Sequence, residues 1–330
     1  MPASGIDAKA EFGKRRIPRA RFFDVDAIAD TSSDYPHMLP TPDGFAEAVS
    51  QLGVDNKSTV VCYDAAGVFS APRAWWMFRV FGHDNVRVLN GGFPEWQAKG
   101  HPVERGRHPP EENDGGAARG STKFFPSFRP ELVVSKEEMQ GFARKALARE
   151  RQGRGAADAY PSTPAASTES LAPGESADRG TGDGDAGVST SGASDSDSDE
   201  RVSVVIDARS AGRFTGVDPE PREGLRGGHI PGSRSLPFSS LVDERAHSLW
   251  ADRDILREKF IAHAGLDVSE AGTVNVPRDS SLHGARNRAS GQLGRVRLVA
   301  SCGSGMTACV LALGAAEVCT RVQWVGSLVA

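Results

Sequence analysis

Apolar residues recur along the chain with two different periods, and the alternation between them predicts a layered α/β architecture. Over residues 41–53, Phe45, Val49 and Leu52 share one helical face, Thr41 stands where a cap belongs, Pro42 suits the first turn, and Gly53 can end the helix. The short apolar run 58–63 reads as a buried strand, followed by a helix over 71–81 and a strand over 86–89. A turn at Gly91 and Gly92 then precedes a short helix containing Trp96. The second half repeats the pattern: strands over 203–207 and 296–300, a helix over 254–264 stopped by Gly265, and a helix over 307–317 directly after the last strand. Strands that alternate with helices imply parallel sheets.

Two stretches interrupt the pattern. Residues 151–200 are mostly Ser, Asp, Gly, Ala and Glu with few large apolar side chains, too polar to offset chain entropy by burial, and read as a solvated insert. Residues 273–295 are polar, Gly-rich and Arg-rich without periodicity and read as a second insert. A weak internal repeat links the halves: Ile17, Pro18 and Arg19 resemble Ile230, Pro231 and Gly232, and each group precedes a buried strand, one ending at Asp64 and the other at Cys302. The second spacing is the longer by about the length of the 273–295 insert. The expected organisation is a non-catalytic unit over 1–104, a linker over 105–130, and a catalytic unit over 131–330 that carries both inserts.

Composition narrows the function classes. A net charge of -4 with 25% charged residues gives no electrostatic reason to expect nucleic acid or an anionic membrane as partner. No apolar run approaches the roughly 20 residues of a spanning helix, and the first residues lack a signal peptide's apolar stretch, so the product is read as intracellular. Four cysteines, Cys62, Cys302, Cys309 and Cys319, have neither metal-site spacing nor the density of a disulfide scaffold, so free thiols and no zinc site are expected.

Cys302, Gly303, Ser304, Gly305, Met306 and Thr307 lie between the expected strand and helix. Two glycines let the backbone curl so that several N–H groups point at one sulfur, and the helix N-terminus adds partial positive charge; both favour a thiolate. A cysteine at a strand end is also often a buried structural thiol. Cys62 within its strand is read as core, and Cys309 and Cys319 as lying on or after the helix. A phosphatase loop needs an arginine six residues after its cysteine, and that position is Ala308.

This loop resembles the active-site loop of 3-mercaptopyruvate sulfurtransferases in the rhodanese family, whose thiosulfate-preferring members carry basic residues there. Asp207 to Phe214, Pro219 to Arg222 and Gly228 to Ser233 match the same branch, as do Phe22 to Asp26, His37 to Pro40 and Ser70 to Trp76. The resemblance implies two tandem rhodanese-like units, each a parallel sheet flanked by helices, the first lacking its N-terminal strand and the second its C-terminal end. It implies Cys302 as the persulfide-forming nucleophile, within a binding loop formed by Gly303, Gly305, Met306 and Thr307. Arg213 and Arg222 become ligands for the carboxylate and keto group of the donor, and Asp26, His37 and Ser304 a proton-handling trio. Arg73 is expected to support packing of the first unit, and Asp64, which stands where the second unit has its cysteine, makes the first unit inert. The implied partners are a small sulfur donor and a thiol acceptor such as thioredoxin or glutathione, in the cytoplasm or mitochondrion. Two other readings remain: thiosulfate as donor, or a non-catalytic sulfur-relay or binding module.

Overall fold

A computed structural model describes residues 7–106, 122–154, 203–243, 245, 248–249, 252–268, 274–275, 297–318 and 323–327. In chain order the first half contains α1 (Ala8–Lys14), α2 (Pro42–Gln51), β1 (Val60–Cys62), α3 (Ala71–Val80), β2 (Val86–Val88) and α4 (Gly92–Ala98). The second contains β3 (Val133–Val134), α5 (Lys136–Arg154), β4 (Ser203–Asp207), α6 (Ala211–Thr215), β5 (Arg234–Ser235), β6 (Val242–Asp243), β7 (Ser248–Leu249), α7 (Arg253–Ala264), β8 (Asp267–Val268), β9 (Val274–Asn275), β10 (Arg297–Ser301), α8 (Ala308–Val318) and β11 (Gln323–Ser327).

Five parallel strands in the order β3-β11-β10-β4-β5 form the main sheet, with Ser301 at the end of β10 opposite Asp207 at the end of β4. Val299 is fully buried and Val204, Val205 and Ile206 nearly so, as strands covered on both faces require. In the first half β1 pairs in parallel with β2, and among the described residues no counterpart of β4 lies beside β1.

Local chemistry sets the helix ends where the pattern placed them. The Thr41 hydroxyl accepts from the Gly44 amide and caps α2, with Pro42 in the first turn. Gly265, left-handed at φ 58°, ends α7. Gly92 (φ 51°) is required for a second reason, because a Cβ there would lie 2.5 Å from the Gly67 carbonyl oxygen.

Three elements depart from the expected map. Helix α5 runs through Arg154, so the first four residues assigned to the 151–200 insert continue a helix; 155–200 lies outside the described residues. Val274–Asn275 pairs antiparallel with Asp267–Val268, so the second insert begins after a short hairpin, and 276–295 lies outside the described residues, as does Cys319. Phe124, within the expected linker, is buried in an aromatic cluster where Phe45 stacks on Phe81 at 4.3 Å and meets Phe78 and Phe124 edge-on.

The halves meet through α3 and α8. Helix α3 is buried almost all round and α8 contains no charged residue before Glu317, the signature of helices enclosed on every side. The Leu249 amide donates to Asn90 Oδ1 at 2.8 Å across the same junction, and Phe69 meets Phe238 edge-on. Phe45→Ala is expected to lower the unfolding free energy by roughly 3–5 kcal/mol, because a fully buried aromatic leaves a cavity its neighbours cannot fill. Denaturant titration of both proteins measures this.

Candidate active site

Strand β10 ends at Ser301, and Cys302 begins the turn into α8, at the carboxyl edge of the parallel sheet where such folds place their sites. Cys302 is buried at 8% exposure, and its Sγ accepts from the Gly305 amide at 3.1 Å. Gly305 has φ 76°, a conformation that turns its amide back toward the sulfur and that a side chain would strain. Several loop amides were expected at the sulfur, and among the described residues one reaches it. The amides of Cys309 and Val310 instead bond to the carbonyls of Met306 and Thr307 and close the first turn of α8.

The corresponding loop in the first half is closed on a carboxylate. Asp64 Oδ2 accepts from the amides of Phe69, Ser70 and Ala71 at 2.8–2.9 Å, and Oδ1 from Ala66 at 2.9 Å. Four donors satisfy this side chain, which has no nucleophilic sulfur to offer. Cys62, two residues earlier, is pushed up to about 12 by burial and stays a thiol.

Two arginines approach Cys302 from the segment after β4. The Ser210 hydroxyl caps α6 by accepting from the Arg213 amide, which places the Arg213 side chain near the cysteine loop. A Cβ on Gly303 would lie 2.9 Å from Arg213 Nη2, so the guanidinium occupies the space a side chain at position 303 would need. Arg222 Nη2 donates to the Gly303 carbonyl at 2.5 Å. The two predicted donor-binding arginines and the cysteine therefore line one cavity, together with Gly303, Ser304, Met306, Thr307, Asp26 and His37.

Glu220, not singled out by the sequence although it lies between Pro219 and Arg222, organises these cations. Its Oε2 accepts from Arg213 at 2.5 Å and its Oε1 from Arg209 at 2.8 Å, and Arg209 is also held by Asp207. Burial raises the Glu220 pKa, but Arg213 and Arg209 outweigh it and the net direction is down. The signal was present in the spacing of Arg209, Arg213 and Glu220, but an acid between two arginines has no periodicity to mark it.

His37 reaches the cavity from the first half with φ 60°, and its Nε2 lies 2.8 Å from Asp26 Oδ1. Its Nδ1 is buried without a hydrogen-bond partner among the described residues. Ser304 lines the same cavity. Arg73 lies in the first turn of α3 and reaches beyond the first unit whose packing it was expected to support: it donates to the Gly305 carbonyl at 3.4 Å across the junction, as well as to the His37 carbonyl. Cys309 lies beneath, its Sγ donating to the same Gly305 carbonyl at 3.2 Å, and burial pushes it up to about 12.

A rhodanese-like domain is matched at residues 6–99. Over 326 residues the chain is 34% identical to thiosulfate/3-mercaptopyruvate sulfurtransferase 1, mitochondrial, of Arabidopsis thaliana, covering 95% of this chain and 64% of that protein. It is 31% identical to the 3-mercaptopyruvate sulfurtransferase of Rattus norvegicus, covering 96% of this chain and 75% of the relative. Among solved structures, SseA of Escherichia coli, a 3-mercaptopyruvate sulfotransferase with the rhodanese fold, superposes with a TM-score of 0.62 at 27% identity over 100% of this chain and 88% of that one. The chain belongs to the rhodanese family of sulfurtransferases, with two tandem units of the α/β fold, and spans about two thirds to three quarters of the length of these curated relatives.

Because the folded Glu220 pKa lies below its ordinary 4.5, its stabilisation is present above that value and is lost as the pH falls through the folded value. Glu220→Gln is therefore expected to flatten the acid limb of the stability profile below about pH 4.5, as followed by urea unfolding at stepped pH.

Proposed function

We propose that the protein takes sulfur from 3-mercaptopyruvate, carries it as a persulfide on Cys302, and passes it to a thiol acceptor. The observation that carries the reading is the pair Arg213 and Arg222 closing over a loop whose position 303 has no side chain. A planar guanidinium is matched to a carboxylate and its neighbouring keto oxygen, and two of them suit a small α-keto acid. Thiosulfate is the weaker reading for donor, since the cysteine loop bears no charged side chain and Arg213 fills the space of one. The names of the relatives, which include both donors, support sulfur transfer from either.

In the first half-reaction the Cys302 thiolate attacks the substrate sulfur, an S–S bond forms, and the electrons of the C–S bond leave on the pyruvate enolate. Arg213 and Arg222 hold the carboxylate and the developing enolate oxygen. His37, oriented by Asp26, and Ser304 supply the proton that converts the enolate to pyruvate. In the second half-reaction an acceptor thiolate attacks the outer persulfide sulfur, and the electrons of the S–S bond return to Cys302. Thioredoxin or glutathione suits this step, in cytoplasm or mitochondrion, and no cofactor is needed. No helix among the described residues is long and apolar enough to cross a membrane.

Steady-state assays with the two donors side by side test the reading. Turnover is expected to favour 3-mercaptopyruvate, with pyruvate released in step with sulfur transfer, and equal or greater turnover with thiosulfate would contradict the assignment. Arg213→Ala and Arg222→Ala are each expected to raise KM for 3-mercaptopyruvate by about tenfold or more, the loss of one charge-assisted contact. Cys302→Ser is expected to abolish turnover, whereas Cys309→Ser retains most of it; equal loss in both would reverse the roles given to the two thiols.

A further inference from the structure

Arg73 is 2% exposed and lies on a helix of the opposite half from the cysteine loop. A buried guanidinium ordinarily requires a carboxylate, because leaving a charge unpaired in the interior is costly. Among the described residues none lies within ion-pair distance of Arg73. Its partners are two backbone carbonyls, those of His37 and Gly305, and the face of Trp76, whose ring centre is 4.7 Å from the guanidinium carbon. Each carbonyl belongs to a residue at positive φ, and each of those residues bears on the chemistry: Gly305 through the amide it donates to Cys302 Sγ, and His37 through its imidazole.

The cysteine loop has no charged side chain, so the anion formed at Cys302 during each cycle must find its countercharge elsewhere. Arg213 and Arg222 approach from the α6 side, and Glu220 already neutralises Arg213 in part. Arg73 comes from α3, without such a partner. Burial pushes its guanidinium below the ordinary arginine value, while the neighbouring sulfurs of Cys309 and, less strongly, Cys302 act in the opposite direction.

We propose that Arg73 is a positioning residue for sulfur transfer, tying the Gly305 turn to the His37 backbone and supplying from the other half of the molecule the positive charge that the Cys302 loop lacks. This rests on the reading of Cys302 as the nucleophile, and it gives the first half, whose own loop is closed on Asp64, a second part in the reaction beside that of His37 and Asp26. The arrangement also accounts for arginine over lysine, since a planar fork reaches two carbonyls at once and an ammonium on a flexible stem does not.

The test compares Arg73→Met, which keeps the length of the side chain and removes the charge, with Arg73→Lys, which keeps the charge and removes the fork. The first readout is the rate of alkylation of Cys302 by iodoacetamide at pH 7, assigned by peptide mass, which requires no sulfur donor. Arg73→Met is expected to slow alkylation and kcat by about tenfold or more while KM stays within about threefold, since one lost charge interaction of about 1.4 kcal/mol corresponds to tenfold. Arg73→Lys is expected to restore alkylation to near the parent rate while kcat remains depressed. A folded Arg73→Met protein, checked by near-ultraviolet circular dichroism, that alkylates and turns over like the parent overturns the proposal. Should Arg73→Met fail to fold, Arg73→Lys decides: parent kcat in that variant overturns it. A normal alkylation pattern across the variants in protein that never turns over 3-mercaptopyruvate would count against the donor assignment and against Arg73 together, whereas slowed alkylation without turnover would count against the donor alone.

Discussion

Cys302 sits at the end of β10 in a loop with no charged side chain, so every charged group that borders it is delivered by another element. The delivery constrains the rest of the molecule. Helix α6 has to begin at Ser210 for Arg213 to face the loop, Glu220 has to lie between Arg209 and Arg213, and α3 has to pack on α8 for Arg73 to reach the Gly305 carbonyl. The apolar character of α8 up to Glu317 and the burial of α3 on nearly every side fit that packing, because two helices that carry the join between the halves have little face left for water.

The two copies of the strand-loop-helix unit close the same turn around different side chains. In the first, four amides converge on the Asp64 carboxylate, and the loop is closed on its own side chain. In the second, Cys302 Sγ takes one amide, and Arg213 and Arg222 border the same cavity. A nucleophile enclosed as fully as Asp64 would have no approach for a donor; a carboxylate as sparsely held as Cys302 would be poorly satisfied in the interior.

Much of the fold was legible because it rests on periodicity and on turn chemistry that act locally. The α2 cap at Thr41, the Gly265 stop and the β10-to-α8 turn follow from residues adjacent in sequence. Phe124 in the expected linker and the continuation of α5 through Arg154 were not legible, the first because an isolated aromatic gives no period and the second because a polar helix resembles a polar linker in composition. The grouping of Cys302, Arg213, Arg222, Asp26 and His37 around one cavity was foreseen from family resemblance, not from spacing. Arg73 and Glu220 were passed over in their roles because their partners lie on other elements: a carbonyl 232 positions away for one, and the guanidinium groups of Arg209 and Arg213 for the other. Contacts to backbone carbonyls leave no trace in residue type.

The central claim is that Cys302 alone carries the sulfur. Intact mass of the purified protein after a single addition of 3-mercaptopyruvate, followed by peptide mapping, tests it directly. The account predicts a gain of one sulfur atom located on the peptide containing Cys302, with one pyruvate released per sulfur gained and removal of the added mass by a thiol. Folded protein that gains no sulfur, or gains it on Cys62 or Cys309, would contradict it.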